Sequence, residues 1–289
     1  MKVAQINREL DQARDAGAVK EIIIPPCPEL LAELQREVNQ GDPDPAAIAR
    51  IAGSDVAMAA ALIRVANSAL YTRKRPVRTV AESVAMLGVA PTVSILTGFL
   101  ARNAIRVNSP LLEHFWESST RRSLAMAYIA RQLYGVSPDL AYTCGLFCHV
   151  GIPILMLGVR GYAGTLTEAL ARQDRSFTET ENAAHKTDHA VVGALVARTW
   201  RLSKPIYQAV RVHHDFTVLQ DKTVLAEVRM LVAMGLVAEH LVTLHEGVGE
   251  QREWALYGPA CLTSLAINET EVDHWQDDLH ALFESASLG

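Results

Sequence analysis

Cysteine and aromatic residues are both scarce in this chain of 289 residues. It contains four cysteines, and aromatic residues make up 6% of it. Four scattered cysteines are too few for a disulfide framework, so we expect free thiols that pack as small apolar groups. Few aromatic rings also disfavour a surface on which nucleic-acid bases would stack.

An excess of positive charge and a long apolar run are absent too. The net charge is −5, so nucleic-acid binding would need a local basic patch. Residues 150–159 form the longest nearly unbroken apolar stretch, which is short of the roughly 20 residues that span a bilayer. Residues 1–15 lack the apolar centre of a secretory signal. We therefore expect no membrane-spanning helix and no membrane partner, and a cytoplasmic location.

What the sequence does contain is a succession of helix signals. Alanine and leucine dominate, strand-like alternation is rare, and capping residues recur, which predicts an all-α fold. Asp44 before Pro45 is typical of a helix start, and Thr79 with Glu82 fits a capping box. Further helices are predicted over residues 138–157, from Pro205 to His213-His214, and over 221–246 and 269–286.

The run Asn108-Ser109-Pro110 has the composition of a linker. It predicts a boundary between an N-terminal helical subdomain, residues 1–107, and a second helical subdomain, residues 108–246. Residues 247–289 form a C-terminal helical extension in this interpretation.

Histidine is the only chemically versatile residue that is abundant, with ten in the chain. Asp188-His189 and His213-His214-Asp215 place imidazole beside carboxylate, the combination that a hydrolytic metal site needs. Neither pair is a metal signature by its spacing alone, which favours hydrogen-bonded or solvated histidines. No Gly-x-Ser-x-Gly elbow and no phosphate-cradling glycine loop occur.

A basic run could contact the phosphates of a nucleotide or a nucleic acid. It comprises Arg73, Lys74, Arg75 and Arg78. Such runs are more often solvated loops, so the sequence disfavours nucleic acid as a partner.

Several segments together resemble the HDOD domain, a bacterial signal-output module related to the HD phosphohydrolases. They are Ile24-Pro25-Pro26-Cys27-Pro28, Ala66-Asn67-Ser68-Ala69-Leu70-Tyr71, Gly145-Leu146-Phe147, Asp188-His189, Trp200 and His213-His214. The resemblance extends over residues 20–245. It implies an N-terminal helical subdomain packed on a degenerate HD-like helical bundle, with Asn67, Ser68 and Tyr71 in a structural motif.

The resemblance fails at the metal ligands of the HD enzymes. Ser118 stands where the first histidine ligand would be, and Cys148-His149 stand at the His-Asp pair. The final aspartate would fall near Met234-Gly235, where no carboxylate occurs. We therefore expect no metal, no cofactor and no catalytic residue. The remaining polar residues are expected to line a relic pocket, which could bind a ligand, or to form a structural network: Ser118, Cys148, His149, Asp188, His189, His213 and His214.

The sequence thus favours a non-catalytic regulatory module of bacterial signal transduction that acts by binding a signalling protein or a small nucleotide ligand. Two alternatives stay open. One is a metal-dependent phosphohydrolase with an atypical site formed by Cys148, His149, His189, His213 and His214. The other is nucleotide or nucleic-acid binding through the basic run.

Overall fold

The computed structural model describes residues 3–15, 19, 22–71, 76–249 and 251–287. Over these residues the secondary structure is α-helical with short 3-10 turns, as expected from the sequence. The helices of the first part are α1 (Val3–Asp15), α2 (Glu29–Val38), α3 (Pro45–Ala52), α4 (Val56–Ala66), α5 (Val80–Leu87) and α6 (Val89–Ala104). Those of the second are α7 (Phe115–Gln132), α8 (Pro138–Phe147), α9 (Gly151–Gly158), α10 (Tyr162–Ala171), α11 (Phe177–His185), α12 (His189–Thr199), α13 (Lys204–Val212), α14 (Ala226–Glu246), α15 (Arg252–Leu265) and α16 (Glu269–Ser287).

Local capping residues begin several helices of the first part as predicted. The Asp44 carboxylate accepts from the Ala46 amide at the start of α3. Thr79 and Glu82 form a complete capping box on α5. Each satisfies amides that the first helical turn leaves without a partner, which fixes where the helix begins.

The second part is a bundle in which α7 packs against α8, α12 against α13, and α14 against α7, α13 and α15. The first part joins it around Trp200, which is fully buried. The Trp200 indole donates to the Pro25 carbonyl at 2.8 Å, and the Gln35 amide donates to the Trp200 carbonyl at 2.7 Å. A single hydrophobic core contains residues of both predicted subdomains, from Ile6 to Phe283. The boundary near residue 108 therefore stays a prediction.

One long helix over residues 138–157 was predicted wrongly. The structure has two helices here, α8 and α9, with residues 148–150 as a turn between them. A Cβ on Gly151 would lie 2.1 Å from the His189 carbonyl oxygen. The start of α9 therefore packs directly on the backbone of α12, and the turn brings His149 toward His189.

Helix α15 lies within the predicted C-terminal helical extension, but its own bounds were not predicted. Pro259 lies on the exposed side within the helix. The helix matters for the site, since its first turn carries Glu253.

Two segments are long and apolar enough to cross a membrane by length and composition alone, although the sequence led us to expect none. They are Pro138–Gly158 and Ala226–Glu246, and 78% and 67% of their most apolar windows are buried inside the protein. A third would count if α3 and α4, bent by 119°, were one span. The first two pack against neighbouring helices of the bundle.

A candidate four-histidine site

Four histidines meet where the turn between α8 and α9, the start of α12 and the end of α13 come together. One ligand nitrogen from each lies within 4.8 Å of the others. We call this set the histidine cluster: His149, His189, His213 and His214. The Nε2 atom of His189 lies 3.2 Å from His213 Nε2 and 3.1 Å from His214 Nε2. The relic-pocket histidines named from the sequence are therefore brought together.

Carboxylates fix the orientation of two of these rings. Glu181 is fully buried on α11, and its carboxylate accepts from His189 Nδ1 at 2.7 Å and from the Tyr162 hydroxyl. Glu253 accepts from His214 Nδ1 at 2.8 Å through both of its oxygens. Hydrogen bonds of this kind select the tautomer and direction of an imidazole.

A backbone carbonyl holds the third ring. His213 Nδ1 lies 2.7 Å from the Val210 oxygen. A carbonyl oxygen carries no proton, so His213 Nδ1 must be the donor. The Nε2 atoms of His189, His213 and His214 are thus all on the side away from their partners, facing one another.

The fourth ring is held differently, between Arg122 and Glu239. The Arg122 guanidinium lies 3.0 Å from His149 Nδ1, which must accept because a guanidinium only donates. Glu239 Oε1 lies 2.9 Å from His149 Nε2 and 3.1 Å from Arg122 Nε. An arginine side chain stays protonated in proteins. Because Arg122 is only 8% exposed, its positive charge is fixed in position next to the cluster.

This environment shifts the pKa values of three of the four rings in different directions. Burial, followed by the charge of Arg122, lowers the pKa of His149 well below its ordinary value. Burial and the neighbouring His214 do the same to the pKa of His213. Burial also opposes a charge on His214, but the Glu253 carboxylate outweighs it and raises the pKa of His214 to about 9. Of these three rings, His214 is therefore the one on which this environment favours a positive charge.

A cavity of about 520 Å³ opens beside the cluster. His149, His214 and Arg122 form its inner wall, and Ser118 lies on its lining near Glu246. The buried Arg122 Nη1 makes no hydrogen bond to any described residue. Three further arginines reach the lining: Arg172, Arg175 and Arg252.

The other residues named from the sequence have structural surroundings. Asp188 caps α12 by accepting from the Val191 amide at 2.9 Å, and also accepts from the Asn182 side chain. Cys148 is buried beside Cys144, with the two sulfurs 4.0 Å apart, and is outside the cluster. Ser118 donates to Glu246 at 2.9 Å.

The residues of the N-terminal motif lie elsewhere. The Asn67 side chain accepts from the Val77 amide and donates to the Val77 carbonyl, both at 2.9 Å. Ser68 is half-buried directly after it. Tyr71 lies under Arg131, whose guanidinium carbon is 4.7 Å from the ring centre.

The basic run contributes nothing that can be described at this site. Arg73, Lys74 and Arg75 lie outside the described residues. Arg78 is exposed, and its backbone amide donates to Glu82 at 2.7 Å.

Sequence reasoning missed the groups that position the rings. Glu181, Glu239 and Glu253 come from three different helices, and Arg122 from a fourth. A signal existed for Glu239, a charged residue in the apolar run of α14, one helical turn beyond Met234-Gly235. No comparable signal marks Glu181 or Glu253.

An all-helical bundle with clustered histidines at its centre defines a protein of the HD-like class. The sequence profile of the HDOD domain matches residues 24–216, so the chain belongs to the HDOD family. A relative from Treponema pallidum (strain Nichols), an uncharacterized protein, is 24% identical over 197 residues, which is 66% of this chain and 38% of the relative. The chain thus spans well under half the length of that relative.

Solved structures share the fold over nearly the whole chain. An HDOD domain protein of unknown function from Geobacter sulfurreducens is 20% identical with a TM-score of 0.74, covering 98% of this chain and 97% of its own. A protein provisionally named a metal-dependent phosphohydrolase, from Shewanella amazonensis SB2B, is 20% identical with a TM-score of 0.68 and covers 98% of both chains. One provisionally named for signal transduction, from Marinobacter aquaeolei VT8, is 18% identical with a TM-score of 0.71, covering 99% of this chain and 65% of its own. At these identities the likeness concerns the fold.

Proposed function

We propose that this HDOD chain is a non-catalytic regulatory module of cytoplasmic signal transduction, which acts through what its HD-like site binds. One observation carries the proposal. Among the described residues, the three carboxylates around the cluster already hold a histidine or an arginine: Glu181 holds His189, Glu253 holds His214, and Glu239 faces His149 and Arg122. None is left to bridge a pair of metal ions or to activate water between them, which two-metal hydrolysis requires.

The residues that stand in place of the His-Asp pair of the HD enzymes support the same conclusion. Cys148 stands there as a buried thiol packed beside Cys144, and His149 is held by Arg122. The buried guanidinium of Arg122 places a fixed positive charge on the cavity wall beside His149. A fixed charge can bind an anion, but it cannot generate the hydroxide that a metal-bound water supplies.

The test is turnover of bis(p-nitrophenyl) phosphate and of a cyclic dinucleotide by tag-free protein in Mg²⁺, Mn²⁺, Fe²⁺ and Zn²⁺. We expect no hydrolysis above the protein-free rate with any of the four ions. Turnover that chelator abolishes, and that His189→Gln also abolishes, would establish the phosphohydrolase alternative instead.

The ligand that the cavity fits best is a small anion. Its volume of about 520 Å³ lies in the range of small-molecule sites, roughly 300–1,000 Å³. Arg122 lines the cavity, and its buried Nη1 makes no hydrogen bond to a described residue; a buried donor of this kind favours a ligand with acceptor oxygens. A phosphate-bearing molecule such as a nucleotide has this chemistry.

Binding of pyrophosphate and of a nucleotide panel can be measured by calorimetry. We expect Arg172→Gln, at the cavity, to weaken binding. Arg198→Gln is the matched control, because Arg198 is also half-exposed and paired with an aspartate, Asp11, but lies outside the cavity. Equal affinity in both variants would remove the cavity from the proposal.

A further inference from the structure

Three histidine side chains of the cluster use Nδ1 for a partner outside the cluster and direct Nε2 toward the other rings of the cluster. Nδ1 of His213 donates to the Val210 carbonyl, and Nδ1 of His189 donates to Glu181. When such a ring is neutral it carries one N–H, and the Nε2 of each of these two rings then bears a lone pair. His214, with Nδ1 on Glu253, has the same arrangement whenever its Nε2 is unprotonated.

These Nε2 atoms face one another at contact distance. His189 Nε2 is 3.2 Å from His213 Nε2 and 3.1 Å from His214 Nε2. Two lone pairs at such a distance repel unless a cation lies between them. A proton on His214 Nε2 turns its contact with His189 into a hydrogen bond, but it leaves the contact between His189 and His213 without a proton.

The spacing matches that of ligands around one ion. Nitrogen ligands lie about 2.0–2.1 Å from a zinc-like ion. Two such ligands are then about 3.0 Å apart at a right angle and about 3.4 Å apart at the tetrahedral angle. The two observed separations fall between these values.

The surroundings also have the construction of a metal site. His189 and His213 are 0% and 8% exposed, and Glu181 and Glu253 support two of the rings from behind, the usual role of groups around metal-bound histidines. His149 places a nitrogen within the same 4.8 Å, and its ring is stacked on His214 with 8° between the planes. The start of α12 and the end of α13 would be cross-linked by an ion here.

We propose that the histidine cluster binds a single divalent transition-metal ion through Nε2 of His189, His213 and His214, and that the fourth position is taken by a ligand other than His149, whose Nδ1 accepts from Arg122. A site of three imidazoles suits zinc, nickel, copper or iron and does not suit Mg²⁺ or Ca²⁺, which prefer oxygen. This assignment departs from our sequence expectation of no metal. It uses neither Ser118 nor Cys148, and it goes beyond the proposed function, because one ion without a free carboxylate can serve structure or regulation.

The experiment is a zinc titration of tag-free, chelator-treated protein against a competing chromophoric chelator. We expect one Zn²⁺ per chain and no competition by excess Mg²⁺. His213→Gln and His189→Gln each remove a ligand, so the affinity should fall by about 100-fold or more. His245→Gln is the control, because the side chains of His245 and His214 are equally buried, both 8% exposed, while His245 lies outside the cluster. Its affinity should equal that of the original protein.

Thermal melts of the zinc-free variants show whether they fold. If they do not, the visible spectrum of the original protein with Co²⁺ gives the second measurement. We expect ligand-field bands of a nitrogen site without the near-ultraviolet band of cobalt bound to thiolate. Less than stoichiometric Zn²⁺, unchanged affinity in folded His213→Gln, or a thiolate band would overturn the assignment. Hydrolysis of a phosphate ester would contradict the proposed function but not the metal site, whereas absence of zinc binding would do the reverse.

Discussion

The Asn67 side chain hydrogen-bonds to the backbone, whereas the polar side chains around His189 contact one another. Asn67 holds the Val77 peptide through two hydrogen bonds of 2.9 Å and is itself exposed. His189 is fully buried and meets Glu181, His213 and His214 through its two ring nitrogens. A side chain that satisfies peptide groups fixes the course of the chain. Rings that are positioned by other side chains, and that still have a ring nitrogen available, can bind an ion or a ligand.

Polar motifs of one family can therefore have two roles, one in stability and one in binding. Both motifs carry the resemblance to HDOD proteins, yet only the histidines leave binding capacity unused. Changes at the Asn67 region should therefore lower stability alone, while changes behind the histidines should alter what the site binds.

The largest effect is expected from Gly151→Ala, which attacks the frame of the histidine site. The new Cβ would lie 2.1 Å from the His189 carbonyl oxygen and 2.9 Å from the Gly193 amide nitrogen. Both atoms belong to the α12 backbone, so the helices must separate, at a cost of about 3 kcal/mol or more in unfolding free energy. Urea unfolding measures this.

Gly164→Ala is the control for that substitution. Gly164 is exposed within α10, and a Cβ there meets nothing within 4 Å. Alanine should stabilise the helix by about 0.5 kcal/mol. Equal stability of the two variants would mean that α9 and α12 do not pack as closely as described.

The next effect concerns the groups behind the rings. Glu253→Gln removes the charge that faces His214 Nδ1 at 2.8 Å. Above the His214 pKa of about 9, where a proton no longer competes with the ion for this ring, the substitution should lower zinc affinity by about 10- to 100-fold, as the loss of a group that supports a metal-bound histidine does. Glu284→Gln is the control, because Glu284 faces His245 at 3.5 Å and is 64% exposed. Titration with a competing chelator compares them. Equal affinities would show that Glu253 is no support for a ligand.

The sequence predicted the fold wherever the determinant was local. Asp44 and Thr79 cap α3 and α5 through residues two and three positions away, and such signals are readable in a short window. The turn before α9 is imposed by the close approach of Gly151 to α12. Nothing in the neighbouring sequence encodes that contact, so a continuous helix was predicted there.

The residues of the candidate site likewise fall into those that a local motif identifies and those that only the folded structure identifies. His189, His213 and His214 could be named from short motifs, but their mutual distances depend on how α12 and α13 cross. Glu253 is 39 residues from His214 in the chain, and Arg122 is 27 from His149. A single sequence gives no means of pairing residues so far apart, and the bounds of α15, which carries Glu253, were themselves not predicted.

A smaller effect is expected at the first region. Asn67→Ala removes both hydrogen bonds to Val77, and because Val77 can then reach water, unfolding should become easier by about 1–2 kcal/mol. Asn67→Asp keeps the acceptor for the Val77 amide and loses the donor to its carbonyl, so its stability should be intermediate. Thermal melts together with zinc titration decide the matter. Unchanged stability with a loss of zinc or ligand affinity would reverse the roles given to the two regions.

The smallest effect comes from substitutions in two capping boxes, one near Asn67 and one near the histidine cluster. Because the two boxes are alike, the same substitution can be compared directly in both regions. Thr79 accepts from the Glu82 amide at 3.1 Å on α5, and Ser176 accepts from the Glu179 amide at 3.2 Å on α11. Alanine at either position should cost about 1 kcal/mol. Helix α11 also carries Glu181, so Ser176→Ala should loosen the support of His189 and weaken zinc binding a few-fold, while Thr79→Ala leaves it unchanged. Equal zinc affinity in both variants would show that Glu181 keeps its position without the α11 cap.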